Sequence, residues 1–362
     1  MPETMLALAL HAPGDLRCEE IPVPTPGPSE ALIRVAWCGV CGSDLPRIFT
    51  TGAHRHPLIP GHEFSGTVAA LGDEAADLHC GDRVVVYPLL WCGRCDACEV
   101  GVYAQCRDYD YIGSRRDGAM AEYVLAPARN IRKIPHGVSL QAAAMTEPTA
   151  VALHALRRVG HPLTGRTIAL FGAGPIGQLA AQWLQVMGVG RILAFDPDAH
   201  RLDLLRRFGV QEAFGVGGTE PSRMVMDRTA GRGADVCIDA AGVPATLGQC
   251  LASVARGGTV VALGNPSADV SLPVPLLSRL LRTEAALVGV WNSWYSLHRT
   301  DDDWHVALDA MRTARLSPDP LVSHRVSLAS APELLAAMYH RNTTWMKVLI
   351  GEEPKTEAGA EP

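Results

Sequence analysis

The segment Thr167–Phe171 reads as an apolar strand that runs into Gly172-Ala173-Gly174-Pro175-Ile176-Gly177 and then into an apolar-periodic helix, Ile176–Met187. No other feature narrows the fold so far. A strand, a turn with glycine at its first, third and sixth positions, and a helix together open a parallel βαβ unit built to hold a dinucleotide. Gly172 makes the tight turn, Gly174 lets a pyrophosphate approach the backbone, and Gly177 lets helix and strand pack closely. Pro175 and Ile176 begin the helix, whose free N–H groups and dipole favour the phosphates. Asp196 ends the next strand, Arg191–Phe195, nineteen residues beyond Gly177. Its carboxylate suits the ribose hydroxyls and would repel a 2′-phosphate, which favours NAD over NADP. Arg201 either braces that ribose or is a solvated helix residue. A helix at Ala199–Phe208 and strands at Val236–Ala240 and Thr259–Leu263 continue the alternation. Residues 151–291 are therefore expected to form a doubly wound α/β sheet.

The first 150 residues have a different rhythm. Short strand-like runs at Met5–Leu10, Ala31–Ala36, Gly66–Leu71, Arg83–Tyr87 and Glu122–Leu125 are separated by Gly-Asp turns and a proline-rich bend, which predicts a small β-barrel. A helix is expected over Gln141–Val159, broken near Glu147-Pro148. After Trp291 the pattern turns mixed, with helices at Asp303–Thr313 and Pro332–Met338 and a last strand at Lys347–Ile350. Residues 292–350 are expected to return to the first domain, and 351–362 to form a charged, disordered tail.

Four of the ten cysteines, Cys92, Cys95, Cys98 and Cys106, fall within one loop, 88–107. Two Cys-x-x-Cys steps share Cys95, and the fourth sulfur closes a tetrahedron suited to Zn²⁺. Disulfides between such near neighbours would be strained. Four sulfurs leave no open position, so this zinc is structural. Cys38 and Cys41 form another Cys-x-x-Cys, but no thioredoxin-like pattern surrounds it. Cys41, His62 and Glu147 offer a thiolate, an imidazole and a carboxylate, a donor set that leaves zinc one position for substrate.

These residues resemble the zinc-dependent medium-chain dehydrogenases. The resemblance is carried by Cys41-Gly42-Ser43-Asp44, Gly61-His62-Glu63, Gly81-Asp82-Arg83-Val84, the four-cysteine loop, Glu147-Pro148 and Gly172–Gly177, and it spans essentially the whole chain. It implies a chaperonin-10-like barrel as catalytic domain with a Rossmann domain inserted before the C-terminal return. It further implies catalytic zinc on Cys41, His62 and Glu147, with Glu63 beside it or as an alternative ligand. Ser43 matches the hydroxyl that takes the alcohol proton. Asp44 is expected to orient a neighbour rather than act as a base. Many relatives carry a histidine where this chain has Pro46, so the relay beyond Ser43 falls to His54 or water. The carboxylate at Glu147 is typical of the polyol branch. Within it the runs 41–49, 52–54, 61–66 and 109–118 resemble the galactitol-1-phosphate dehydrogenases, which implies a polyol phosphate as substrate. Arg47, Arg115 and Arg116 are then candidates for its phosphate, with an unphosphorylated polyol, an amino alcohol or a cyclitol as the alternative. The family also implies a homodimer or homotetramer, with the apolar run Ala285–Trp291 as either an interface strand or an interior one.

Composition excludes other classes. A net charge of −6 argues against nucleic acid as partner. No apolar run reaches the roughly 18 residues of a membrane span. The N-terminus lacks the basic start of a signal peptide, so a cytoplasmic location is expected. All but three of the 32 cations are arginine, the lysines being Lys133, Lys347 and Lys355.

Overall fold

The computed structural model describes residues 1–75 and 77–352. The expected tail, 351–362, lies almost wholly outside the described residues. Two units make up the chain: residues 1–147 with the chain from Trp294 onward, and Pro148–Ser293.

In the first unit the sheet follows the order Val322–Val326, Lys347–Gly351, Glu30–Gly39, Glu63–Leu71, Arg83–Val86 and Ile131–Lys133, with Tyr123–Pro127 also paired to Glu30–Gly39. A hairpin of Thr4–Ala12 and Asp15–Pro22 joins it through single bridges at Ala7–Ala121 and Leu10–Leu58. Its core includes Leu8, Ile33, Phe64, Val84, Met120 and Val348, all at most 2% exposed. The C-terminal return docks through aromatic rings. Tyr295 stacks on Tyr87 at 4.5 Å and 5°, and Trp304 meets Tyr87 edge-on.

One pairing pattern fixes the site. Glu30–Gly39 runs antiparallel to Glu63–Leu71 with Gly39 opposite Glu63, and antiparallel to Lys347–Gly351 with Leu349 opposite Gly39. The end of the first strand therefore meets the starts of the other two, and Cys41, His62, Glu63 and Lys347 converge although they are far apart in sequence.

The second unit holds a six-stranded parallel sheet in the order Ala213–Phe214, Arg191–Phe195, Thr167–Phe171, Ala234–Asp239, Val254–Ala262 and Ala286–Gly289. The strand order reverses between Thr167–Phe171 and Ala234–Asp239, which are parallel neighbours, and this is the switch point at which such sheets hold dinucleotides. The apolar run at 285–291 forms the edge strand Ala286–Gly289, not an interior one, and Leu287 is 42% exposed. The helix expected over Gln141–Val159 is two helices, Leu140–Ala144 and Thr146–Arg157. The break falls at Met145, and Pro148 sits in a first turn, where its missing N–H costs nothing.

Candidate active site

The four-cysteine loop brings its sulfurs into one cluster. All four lie within 4.8 Å of one another, with Cys95–Cys98 at 3.5 Å, Cys95–Cys106 at 3.9 Å and Cys92–Cys98 at 4.0 Å. A tetrahedron of roughly 2.3 Å Zn–S bonds has edges of about 3.8 Å, so the spacing fits zinc and is far too long for disulfides. The Arg107 and Cys98 backbone amides lower the Cys95 thiol to about 6, whereas burial pushes Cys98 up to about 12. Trp91 anchors the loop, stacked on Tyr103 at 4.1 Å and covered by the Arg129 guanidinium at 4.3 Å.

The second cluster forms where the three strand ends meet. Ligand atoms of Cys41, His62 and Glu63 lie within 4.8 Å of one another. A soft sulfur, an imidazole nitrogen and a carboxylate oxygen form a donor set that fits zinc. Asp44, fully buried, holds this set in place. Its Oδ2 accepts the Cys41 amide at 3.0 Å, its Oδ1 accepts Arg47 Nη1 at 2.7 Å, and the same oxygen lies 3.5 Å from His62 Nδ1. Burial alone would depress His62, but Asp44 opposite it holds the imidazole pKa well above the usual value. Ser43 is exposed and donates to Cys41 Sγ at 3.3 Å.

Glu147 does not join the close set. It is 8% exposed in the first turn of Thr146–Arg157, and burial pushes it up to about 7 against the pull of His62. Glu63 is the nearer carboxylate because its strand pairs directly with the strand that leads to Cys41. It also has a partner that the sequence reading missed. Lys347 Nζ forms an ion pair with Glu63 Oε2 and donates to the Val40 carbonyl at 2.9 Å, with both side chains 2% exposed. Burial would lower the Lys347 pKa, yet the Glu63 carboxylate keeps it raised. A Cβ on Gly39 would sit 2.5 Å from Glu63 Oε2, so glycine there makes room for the pair. A signal was available, since a lone lysine in the apolar run Met346–Ile350 of an arginine-rich chain demands a buried acid.

The loop 109–118 packs over His62. The Tyr111 ring meets the imidazole edge-on at 5.7 Å. Cβ atoms on Gly113 or Gly118 would lie 2.4 or 2.2 Å from the Gly61 carbonyl, so both glycines let this loop close against Gly61-His62. Of the three candidate arginines, Arg47 is tied to Asp44 and Arg116 reaches Glu30 at 3.1 Å. Arg116 also lines a cavity of about 340 Å³ with Arg55, Asp117 and Tyr123, to which none of the candidate zinc ligands contributes. Arg115 stacks on Tyr109. His54 is exposed.

In the second unit the glycines divide as their spacing predicts. Gly172 has φ +101°, and a Cβ on Gly177 would lie 2.0 Å from the Gly172 carbonyl. A Cβ on Gly174 would meet nothing within 4 Å, so the chain's own packing does not demand glycine there. The open space fits a pyrophosphate at the start of Pro175–Val186. Asp196 is 3% exposed, with Oδ2 accepting the Ala173 amide at 2.7 Å and Oδ1 the Asp198 amide at 2.9 Å. It thus braces the glycine turn while keeping acceptor capacity for a ribose. Arg201 Nη1 lies 3.8 Å from Asp196 Oδ2.

Comparison with known proteins agrees with both halves. The alcohol dehydrogenase GroES-like domain matches residues 27–136, and the zinc-binding dehydrogenase domain matches residues 175–312. The chain is 34% identical over 321 residues to galactitol 1-phosphate 5-dehydrogenase of Escherichia coli, covering 89% of this chain and 92% of that one. It is 35% identical over 285 residues to sorbitol dehydrogenase of Bacillus subtilis, covering 77% and 80%. The crystal structure of galactitol-1-phosphate dehydrogenase from Escherichia coli superposes with a TM-score of 0.90 at 33% identity, covering 96% of this chain and all of that one. Zinc and a nicotinamide dinucleotide are the cofactors of such enzymes. The chain belongs to the zinc-dependent medium-chain alcohol and polyol dehydrogenases, with a GroES-like domain joined to a Rossmann domain.

Proposed function

We propose that the protein oxidises a secondary alcohol of a polyol phosphate to a ketone with NAD, the substrate being galactitol 1-phosphate and the product tagatose 6-phosphate. The observation that carries the reaction is the convergence of Cys41, His62 and Glu63 at three strand ends, in a chain that also holds an open glycine turn. The substrate rests on the likeness to galactitol 1-phosphate 5-dehydrogenase over 89% of the chain.

Cys41 and His62, with Glu63 and Glu147 as the available carboxylates, would hold the catalytic zinc, and Cys92, Cys95, Cys98 and Cys106 the structural one. When bound, zinc supplies a Lewis acid for the alcohol oxygen and NAD a hydride acceptor, so alcohol and NAD⁺ yield ketone, NADH and a proton. The chain's own groups do the rest. Asp44 fixes the His62 ring, and Ser43 takes the hydroxyl proton. Because Ser43 is exposed, it passes that proton directly to water, which accounts for the tolerance of Pro46. Gly172, Gly174, Pro175, Ile176 and Gly177 cradle the pyrophosphate, and Asp196 with Arg201 holds the adenosine ribose. Retaining four reduced cysteines fits a cytoplasmic enzyme.

NADH formation from galactitol 1-phosphate, galactitol, sorbitol and a cyclitol tests this reading. Preference for the phosphate ester with NAD supports it, and turnover of unphosphorylated compounds alone overturns the phosphate part. That second reading is favoured by the commitment of Arg47 and Arg116 to Asp44 and Glu30, and by the likeness to sorbitol dehydrogenase. Asp196→Ser is expected to shift the NAD to NADP ratio of kcat/KM by about 100-fold toward NADP, since it removes a charge that repels the 2′-phosphate.

The enzyme is proposed to be a homodimer. Among the described residues the edge strand Ala286–Gly289 has no strand partner on one side, an invitation to pairing with another copy. The helix Val274–Thr283 beside it carries Val274, Leu277 and Leu281 at 79%, 48% and 70% exposure. Leu287→Lys is expected to convert the dimer to monomer in light scattering. An unchanged mass would place the interface elsewhere.

A further inference from the structure

Four arginines stand on the two loops around the metal-ligand cluster, and three are neutralised. Arg47 pairs with Asp44 at 2.7 Å, Arg55 with Asp117 at 2.8 Å and Arg116 with Glu30 at 3.1 Å. Arg115 pairs with no carboxylate among the described residues. Its guanidinium lies over the Tyr109 ring at 4.4 Å, and Nη1 donates to the Tyr109 carbonyl at 3.2 Å. No hydrogen bond within the described chain uses its Nε and Nη2, and those two donors form one edge of the planar fork. That edge matches two oxygens of a phosphate.

Its placement connects this edge to the chemistry. Tyr109 meets the Tyr111 ring edge-on at 6.5 Å, and Tyr111 in turn meets His62 at 5.7 Å. Two tyrosine rings therefore separate Arg115 from the metal-ligand cluster. The backbone fixes that spacing, because the Tyr111 carbonyl accepts from the amides of Ser114, Arg115 and Arg116. An extended polyol with a terminal phosphate likewise carries its charge several bonds from the carbon that reacts.

We propose that Arg115, held flat by Tyr109, is the residue that selects a phosphorylated polyol, and that Arg47 and Arg116 serve the protein's own structure. The inference rests on the dehydrogenase reading of the Cys41–His62–Glu63 cluster and names the group that recognises the far end of its substrate. Stacking keeps the guanidinium desolvated on one face and oriented, so little side-chain freedom is lost when an anion arrives.

The test is steady-state kinetics of the zinc-loaded enzyme and its variants with galactitol 1-phosphate and with galactitol. Arg115→Gln is expected to raise KM for the phosphate ester about 50-fold, the loss of a charge-assisted pair. Its kcat and its turnover of galactitol are expected to stay near those of the wild type. Arg115→Lys, which keeps the charge but not the fork, is expected to fall between the two. Tyr109→Leu is expected to raise the same KM about fivefold by freeing the guanidinium. Arg116→Gln is expected to leave the preference for the phosphate ester intact. Zinc content and melting temperature report whether each variant is folded. If the wild type prefers the phosphate ester and Arg115→Gln keeps that preference, the assignment of Arg115 is overturned while the substrate stands. If the wild type shows no preference, the phosphorylated substrate is overturned, and this assignment with it.

Discussion

Replacing Cys41 with serine is expected to leave one zinc per chain instead of two and to lower kcat/KM by about 10³-fold or more. The reason lies in how little redundancy the cluster has. Cys41 supplies its only sulfur, and that sulfur also accepts the Ser43 hydroxyl at 3.3 Å, so one substitution removes a ligand and misplaces the proton acceptor. A serine oxygen is a much weaker zinc ligand than a thiolate at neutral pH. Without a Lewis acid the alcohol must lose its proton at its ordinary high pKa, a cost of several kcal/mol at the transition state. Zinc by elemental analysis and NADH binding by fluorescence separate this from misfolding, because the dinucleotide turn at Gly172–Gly177 belongs to the other unit. Cys98→Ser provides the contrast. It breaks the structural cluster, so it is expected to act first on stability, leaving the catalytic donors in place. Two zincs retained by the Cys41 variant would show that His62 and the carboxylates hold the metal without it.

The parts of this molecule legible in the sequence are those where chemistry is local. The glycine turn was readable because strand, turn and helix are contiguous and each glycine has its own steric reason. The four-cysteine loop was readable because all its ligands lie within fifteen residues. The hairpin strand Asp15–Pro22 escaped notice because its residues are charged and half exposed, and only its register against Thr4–Ala12 makes it a strand. The helix Val274–Thr283 escaped for the opposite reason. Leu276 and Leu280 pack on the core while Val274, Leu277 and Leu281 are exposed, so its apolar residues are not confined to one buried face. Among the arginines, sequence gave three equal candidates. The structure separates them by their acids, and Glu30 lies 86 residues from Arg116. Glu147 was readable as an acid in a helix start, but its distance from the close donor set depends on where Leu140–Ala144 packs against the sheet.

Lys347→Met is expected to destabilise the first unit by about 3–5 kcal/mol, because it leaves the Glu63 carboxylate buried without its counter-charge. The melting temperature should fall on the order of 10 °C. The pair spans 284 residues and joins the last strand of the sheet to the strand that begins at the site. The cost therefore arises from a stranded charge and not from a lost contact alone, and a second substitution separates the two. Combining Lys347→Met with Glu63→Gln should recover more than half of the loss, since a neutral amide needs no cation while the packing change at 347 is retained. Gly39→Ala approaches the same pair from the other side. Its new Cβ would lie 2.5 Å from Glu63 Oε2 and 3.0 Å from Lys347 Cε, so it should destabilise without removing either charge. Calorimetry on the zinc-free protein measures all three, because a bound zinc would itself balance the Glu63 carboxylate. Should the double variant melt no higher than Lys347→Met alone, the ammonium would be acting through packing and through its bond to the Val40 carbonyl, and Glu63 would not depend on it for charge balance.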